Sequence, residues 1–143
     1  MRLERTVTTD KPVERVFAYL ADFTTTTEWD PGTVETVRVS GDGGPGTRYR
    51  NTSKFAGRET ELTYTVVERE QNQKIALRGQ NKTVKALDTM TFTPTTTGGT
   101  EVRYSADFDF GVLTPVLGLL LRPFFTRLGD EAERGMREAL ERL

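Results

Sequence analysis

The stretch that decides the fold is residues 100–143, TEVRYSADFDF followed by GVLTPVLGLLLRPFFTRLGDEAERGMREALERL. Its first part alternates. Val102, Tyr104, Ala106, Phe108 and Phe110 oppose Glu101, Arg103, Ser105, Asp107 and Asp109, the period-two pattern of a strand with one buried face. From residue 114 the apolar spacing lengthens to that of a helix. Thr114-Pro115 reads as N-cap and first helical residue. Leu117, Leu121, Phe124, Leu128, Ala132, Met136 and Ala139 then fall on one side of a long C-terminal helix. Asp130 with Arg134, Glu133 with Arg137 and Glu138 with Arg142 are the i,i+4 pairs expected on its wet side. Pro123 must kink or split this helix, because it removes a backbone hydrogen bond and clashes with the preceding turn.

Working back from residue 100, every segment to residue 34 reads as strand. The runs are Val34–Val39, Thr47–Phe55, Arg58–Glu70, Lys74–Gln80 and Val84–Thr95, with Thr100–Phe110 closing the series. Short polar turns separate most neighbours and the Gly41–Gly46 loop the first two, so these six strands form an antiparallel meander. Residues 2–9 add a short strand with Leu3 and Val7 on one face. Asp10, Pro12 and Glu14 are start signals for a helix, with Asp10 at the N-cap position. Val13, Val16, Phe17 and Leu20 form its apolar stripe. A second short helix is expected between Asp22 and Asp30, anchored by Phe23 and Trp29. The class is α+β: a curved antiparallel sheet whose apolar face is covered by the C-terminal helix, with a cavity between them. All 143 residues are read as one domain, 1–143.

Composition excludes several functions. Twenty basic against twenty-one acidic residues give a net charge of −1, without the basic surplus that phosphate contacts need. There is no His and no Cys. That removes His-based triads, thiol nucleophiles and imidazole or thiolate metal sites. Neither Asp107 and Asp109 nor the set Asp22, Glu28 and Asp30 gathers enough oxygens for calcium; both groups read as solvated charge. We expect no metal, no cofactor and no nucleic-acid partner. The N-terminus lacks a signal-peptide core, and Val112–Leu121 is too short and broken to span a bilayer. A cytoplasmic location is the expectation. Leu119, Leu120 and Phe125 are expected to pack on the sheet or on a second copy of the chain, which leaves a homodimer open.

Face assignment puts some polar residues inward. Tyr49, Asn51, Ser53 and Phe55 oppose Arg48, Arg50 and Lys54, with Arg48 and Arg50 expected to face Glu59 and Glu61 across the hairpin. Leu62, Tyr64 and Val66 point in. So do Asp88, between Ala86 and Met90, and Arg5, between Leu3 and Val7. A buried charge is expensive unless paired. Arg5 and Asp88 are therefore either ligand contacts, alone or through each other, or residues near a strand end or bulge where the face slips.

The order of elements, Pro12-Val13-Glu14-Arg15-Val16-Phe17, Trp29-Asp30-Pro31, the glycine-rich loop before Thr47-Arg48-Tyr49, and Gly98-Gly99-Thr100-Glu101-Val102 together resemble the polyketide cyclase/dehydrase family. That family belongs to the START-like (SRPBCC), Bet v 1-like superfamily. The resemblance covers essentially the whole chain. It implies a helix-grip fold, with seven antiparallel strands around the C-terminal helix and a hydrophobic cavity between them. It further implies that Trp29, Tyr49, Asn51, Tyr64, Leu77, Asp88, Met90, Tyr104, Phe108, Leu117, Leu121, Phe124 and Leu128 line that cavity. Binding of a lipid-, polyketide- or aromatic-like molecule, as carrier or sensor, is the first expectation. A cyclase-type enzyme using cavity Tyr, Arg or Asp groups is the second, with no catalytic residue singled out. Lipid or quinone transfer at a membrane, without stable insertion, is the third.

Overall fold

Seven strands form one antiparallel sheet in the order β1-β7-β6-β5-β4-β3-β2, in a computed structural model that describes residues 1–143. The strands are β1 (Arg2–Thr9), β2 (Thr33–Ser40), β3 (Arg48–Phe55), β4 (Arg58–Glu70), β5 (Lys74–Gln80), β6 (Lys85–Pro94) and β7 (Thr100–Asp109). The chain meanders from β2 to β7, and β1 closes the far edge by pairing with β7, Leu3 opposite Ala106 and Val7 opposite Val102. The turn between β3 and β4 has positive φ at Ala56 (52°) and Gly57 (80°), the left-handed pair that a tight hairpin requires. Register shifts in β2 and between Val66 and Glu68 of β4 add local twist and curl the sheet.

Helices α1 (Val13–Leu20) and α2 (Thr26–Trp29) follow β1. Val16, Phe17 and Leu20 are buried, and Phe17 meets Phe92 edge-on at 5.1 Å. Asp10 does not cap α1. The residue ahead of the helix is Pro12, extended and without a side-chain cap, so Asp10 is out of reach of the free amides. Asp22 does cap, accepting from the Thr24 amide at 3.1 Å at the head of a 3-10 turn, Phe23–Thr25, that leads into α2.

The C-terminal segment is two helices, α3 (Thr114–Leu120) and α4 (Arg122–Glu141). The segment Gly111–Leu120, which is α3 with the 3-10 turn before it, lies at 79° to α4, and the break lies at Leu121 (φ −95°, ψ 2°). Pro123 therefore splits rather than kinks: it lies in the first turn of α4, where a missing amide costs nothing. Thr114 is not a cap but the first residue of α3, its Oγ1 accepting from the Phe110 amide at 2.8 Å. The break also resets the helical phase. Carrying one stripe from Leu117 through Leu121 to Phe124 fails, and the buried face of α4 is Phe125, Gly129, Ala132, Met136, Ala139 and Leu140. Val112, Leu113, Val116, Leu119, Leu120 and Phe124 are exposed, Val112 by 95%. Leu119 and Leu120 thus do not pack on their own sheet; Phe125 does. No single helix is long and apolar enough to cross a membrane.

Helix α4 lies across the concave face and contacts β1 and α2. Glycines permit the approach: a Cβ at Gly129 would come within 2.6 Å of Leu3 and 2.8 Å of Arg5, and one at Gly135 would overlap the Trp29 carbonyl. Of the expected helix pairs only Glu133–Arg137 forms, at 3.1 Å. Asp130 instead binds Arg5 at 3.0 Å, and Arg127 pairs with Glu131 at 3.0 Å. In the β3–β4 hairpin Lys54 stands opposite Glu59, whereas Arg50 and Arg48 face Thr63 and Thr65. The expected Arg–Glu cross-strand pairs are therefore displaced by the register.

Candidate functional site

Between the sheet and the first turns of α4 lies an apolar cavity of about 200 Å³. One end of the sheet–helix layer is solid core, where Val7, Phe17, Ile75, Leu77, Met90, Phe92, Met136 and Leu140 pack together. The other end is hollow because α4 begins only at Arg122 and α3 turns away from the sheet. Buried Leu3, Phe23, Leu62, Val84, Ala106 and Phe125 form the wall, and half-exposed Thr33, Phe55, Thr60 and Phe110 form a rim with exposed Lys54 and Thr83. Phe125 is the hub of an aromatic cluster at the mouth, with ring centroids 4.7 Å from Phe55, 5.0 Å from Phe108 and 6.3 Å from Phe110.

Of the thirteen residues expected to line this cavity, the structure brings seven together there: Trp29, Asn51, Tyr64, Asp88, Tyr104, Phe108 and Leu128. Tyr49, Leu77 and Met90 point inward as read but are fully buried in the packed end, so they support the wall and do not form it. Leu117 and Leu121 miss the cavity because of the break at Leu121, and Phe124, in the first turn of α4, lies beside the buried face and is exposed. Phe125 takes the place given to Phe124, one residue out of phase. Asp30 was also misread as solvated charge: it lines the cavity, with its carboxylate accepting from the Gly32 amide and the Thr33 hydroxyl, both at 3.0 Å. The Trp29-Asp30-Pro31-Gly32 turn, where an acid precedes two residues that end a helix, was the available signal.

Two polar arrays are built into the apolar wall. On the β2–β3 side the Ser53 hydroxyl donates to Asn51 Oδ1 at 2.8 Å, Asn51 Nδ2 donates to Thr36 Oγ1 at 2.8 Å, and Thr36 meets Thr26 Oγ1 at 2.7 Å. Thr26 donates onward to the Phe23 carbonyl at 2.8 Å, which makes Thr36 the donor to Thr26. Each buried group is satisfied, so the chain rigidifies this wall.

The second array is centred on Asp88, mid-strand in β6 and 5% exposed. The Tyr104 hydroxyl donates to Asp88 Oδ2 at 2.6 Å. The other oxygen, Oδ1, is buried with no partner, as is Trp29 Nε1. Leaving such a group unpaired costs about 1–3 kcal/mol, so native structures rarely keep one without a use. Burial pushes the Asp88 carboxyl up to about 7, against the pull of the Tyr104 hydrogen bond and with a further push from the Asp30 charge. Burial, then the Asp88 charge, holds both the Tyr64 and Tyr104 phenols well above their ordinary range. Tyr104 is therefore a donor at neutral pH. Tyr64 lies over Gly79, where a Cβ would be 2.6 Å from its ring; only glycine leaves room for it.

Arg5 does not meet Asp88. Its guanidinium bonds Asp130 and the Thr126 carbonyl and lies 3.9 Å from Glu133. It lines a much smaller pocket under α4. Neither Arg5 nor Asp88 sits at a bulge; the face assignment holds for both, with different partners. No cluster of acidic, His or Cys side chains that could hold a metal is present.

The whole chain, residues 1–143, matches the family described as polyketide cyclase/dehydrase and lipid transport, and the protein belongs to that family. No curated protein matches it by sequence. Solved structures similar to it include the Zhui aromatase/cyclase from Streptomyces sp. R1128, with TM-score 0.82 and 17% identity over 99% of this chain and 94% of that one. A START superfamily protein from Mycobacterium smegmatis superposes with TM-score 0.81 at 16% identity, covering 99% and 97% of the two chains. A Thermus thermophilus protein, TTHA0849, gives 0.74 at 21% identity, covering 98% and 95%. At such identities the likeness is one of fold: the seven-stranded helix-grip α+β architecture of START-like and Bet v 1-like proteins. A cavity suited to a hydrophobic ligand goes with that fold.

Proposed function

We propose that this protein binds an apolar small molecule in the cavity between sheet and α4 and acts as a carrier or sensor of it. The observation that carries the reading is the hollow itself: a mostly apolar wall, open at its rim, at one end of a layer whose other end is solid core. A protein interior normally packs without voids of this size, and an apolar pocket with a few placed polar groups is the usual form of a ligand site. Filling the space with Leu128→Trp should abolish uptake of an apolar probe while the fold survives, as titration followed by NMR would read.

A specific feature supports a second reading, exchange of that ligand at a lipid surface. The exposed apolar residues of α3 lead into α4, whose exposed Phe124 meets rim residue Phe55 edge-on at 6.2 Å. Helix α3 buries no residue of its own, so the doubly substituted Leu119→Glu/Leu120→Glu protein should stay within about 0.5 kcal/mol of the parent in stability. It should also lose co-flotation with phosphatidylcholine vesicles. Flotation undiminished by the two charges, or absent in the parent, would end this reading. A cyclase-type reaction would have to move its proton through Asp88 and Tyr104, the one hydrogen-bonded acid pair in the wall.

A further inference from the structure

The cavity wall holds two carboxylates, Asp30 and Asp88, and its one cation, Lys54, sits exposed on the rim. Arg5, half-buried on β1, is already committed to Asp130 and the Thr126 carbonyl. The deep end therefore repels anions. Asp30 has both carboxylate oxygens engaged, whereas Asp88 has one free. Resting on the ligand-binding reading above, we propose that the ligand is a neutral apolar molecule bearing a hydroxyl group, and that this hydroxyl is recognised by Asp88 Oδ1.

The geometry selects the group. Tyr104 occupies Oδ2, so whatever pairs with Asp88 must do so at Oδ1. An ionised Oδ1 accepts only, and a protonated one donates. Burial holds Asp88 near the point where both forms are populated at neutral pH. A hydroxyl can donate to the first and accept from the second; a ketone serves only the second, and a carboxylate meets like charge. Trp29, in the same wall, offers a second unpartnered group, the indole N–H, and a hydroxyl oxygen can accept from it while a cationic amine cannot. A hydroxylated ring or alcohol thus satisfies what the wall leaves open, and a fatty acid or an ammonium does not.

The test compares four probes on one apolar body: naphthalene, 2-naphthol, 2-naphthoic acid and 2-naphthylmethylamine, titrated at pH 7 by calorimetry. We expect 2-naphthol to bind about 10-fold more tightly than naphthalene, the worth of one hydrogen bond to a charged or partly charged group, and the acid to bind more weakly than either. Asp88→Val combined with Tyr104→Phe removes the carboxylate without leaving the phenol unpaired, and should shrink the preference for 2-naphthol over naphthalene to about twofold. Equal affinity for 2-naphthol and naphthalene, or tighter binding of the acid or the amine, overturns the proposal and leaves the cavity reading intact. A preference that persists unchanged in the Asp88→Val/Tyr104→Phe protein also overturns it. Binding of none of the four overturns both.

Discussion

Asp88 shows how much one residue can cost and why it is kept. Its carboxyl rises from the ordinary carboxylate value to about 7 because the fold removes it from water. Between pH 4 and 7 the folded chain binds a proton that the unfolded chain has released, so stability must fall as pH rises through that window. The fall is at most about 4 kcal/mol, and it levels off above the folded-state value. Asp88→Asn removes the ionisation and keeps the acceptor for Tyr104. The variant should gain stability over the parent at pH 8 and lose most of that advantage at pH 4, as urea unfolding at the two values would show; an advantage independent of pH would contradict the assignment. The inward position of Asp88 was legible, since Ala86 and Met90 flank it on the same face. Its partner was not. Tyr104 lies sixteen residues away, and only the β6–β7 register, with Met90 opposite Tyr104 and Asp88 opposite Ala106, brings the two side chains together.

At the scale of elements, strands were easier to read than helices. A period of two leaves little freedom, and β4 and β5 fall where the alternation and the turns at 56–57 and 71–72 put them. The C-terminal helix was misread in phase because a proline announces a break without saying on which side the chain will bend. The break two residues before Pro123 rotates everything upstream, which moves Leu117 and Leu121 off the cavity, while in the first turn of α4 the buried face begins at Phe125 and leaves Phe124 exposed. Glycines in α4 carry information that periodicity ignores. In an exposed helix, Gly135→Ala would gain about 1 kcal/mol from propensity. Here the added methyl meets the backbone carbonyl of Trp29, which cannot rotate aside, so the substitution should instead destabilise by about 1–3 kcal/mol. A thermal melt of the variant that matched or exceeded the parent would show that α4 is not held against α2 as described.

For the whole molecule, the sheet's curl and the late start of α4 together decide that one end is core and the other is hollow. Neither is a local property, which is why five of the cavity residues, Asn51, Tyr64, Asp88, Tyr104 and Phe108, were readable from strand faces while the boundary between Met90 and Asp88 was not. The family match and the fold agree on a ligand cavity, and an apolar molecule is expected to enter it. The most direct test is a titration of the ¹⁵N-labelled protein with naphthalene, followed by amide shifts in the parent and in Leu128→Trp. Saturable shifts clustered at Leu62, Tyr64, Ala106 and Phe125 are expected in the parent, and none in a folded Leu128→Trp protein. Shifts confined to the exposed α3 residues Val112–Leu120, or equal in both proteins, would contradict it.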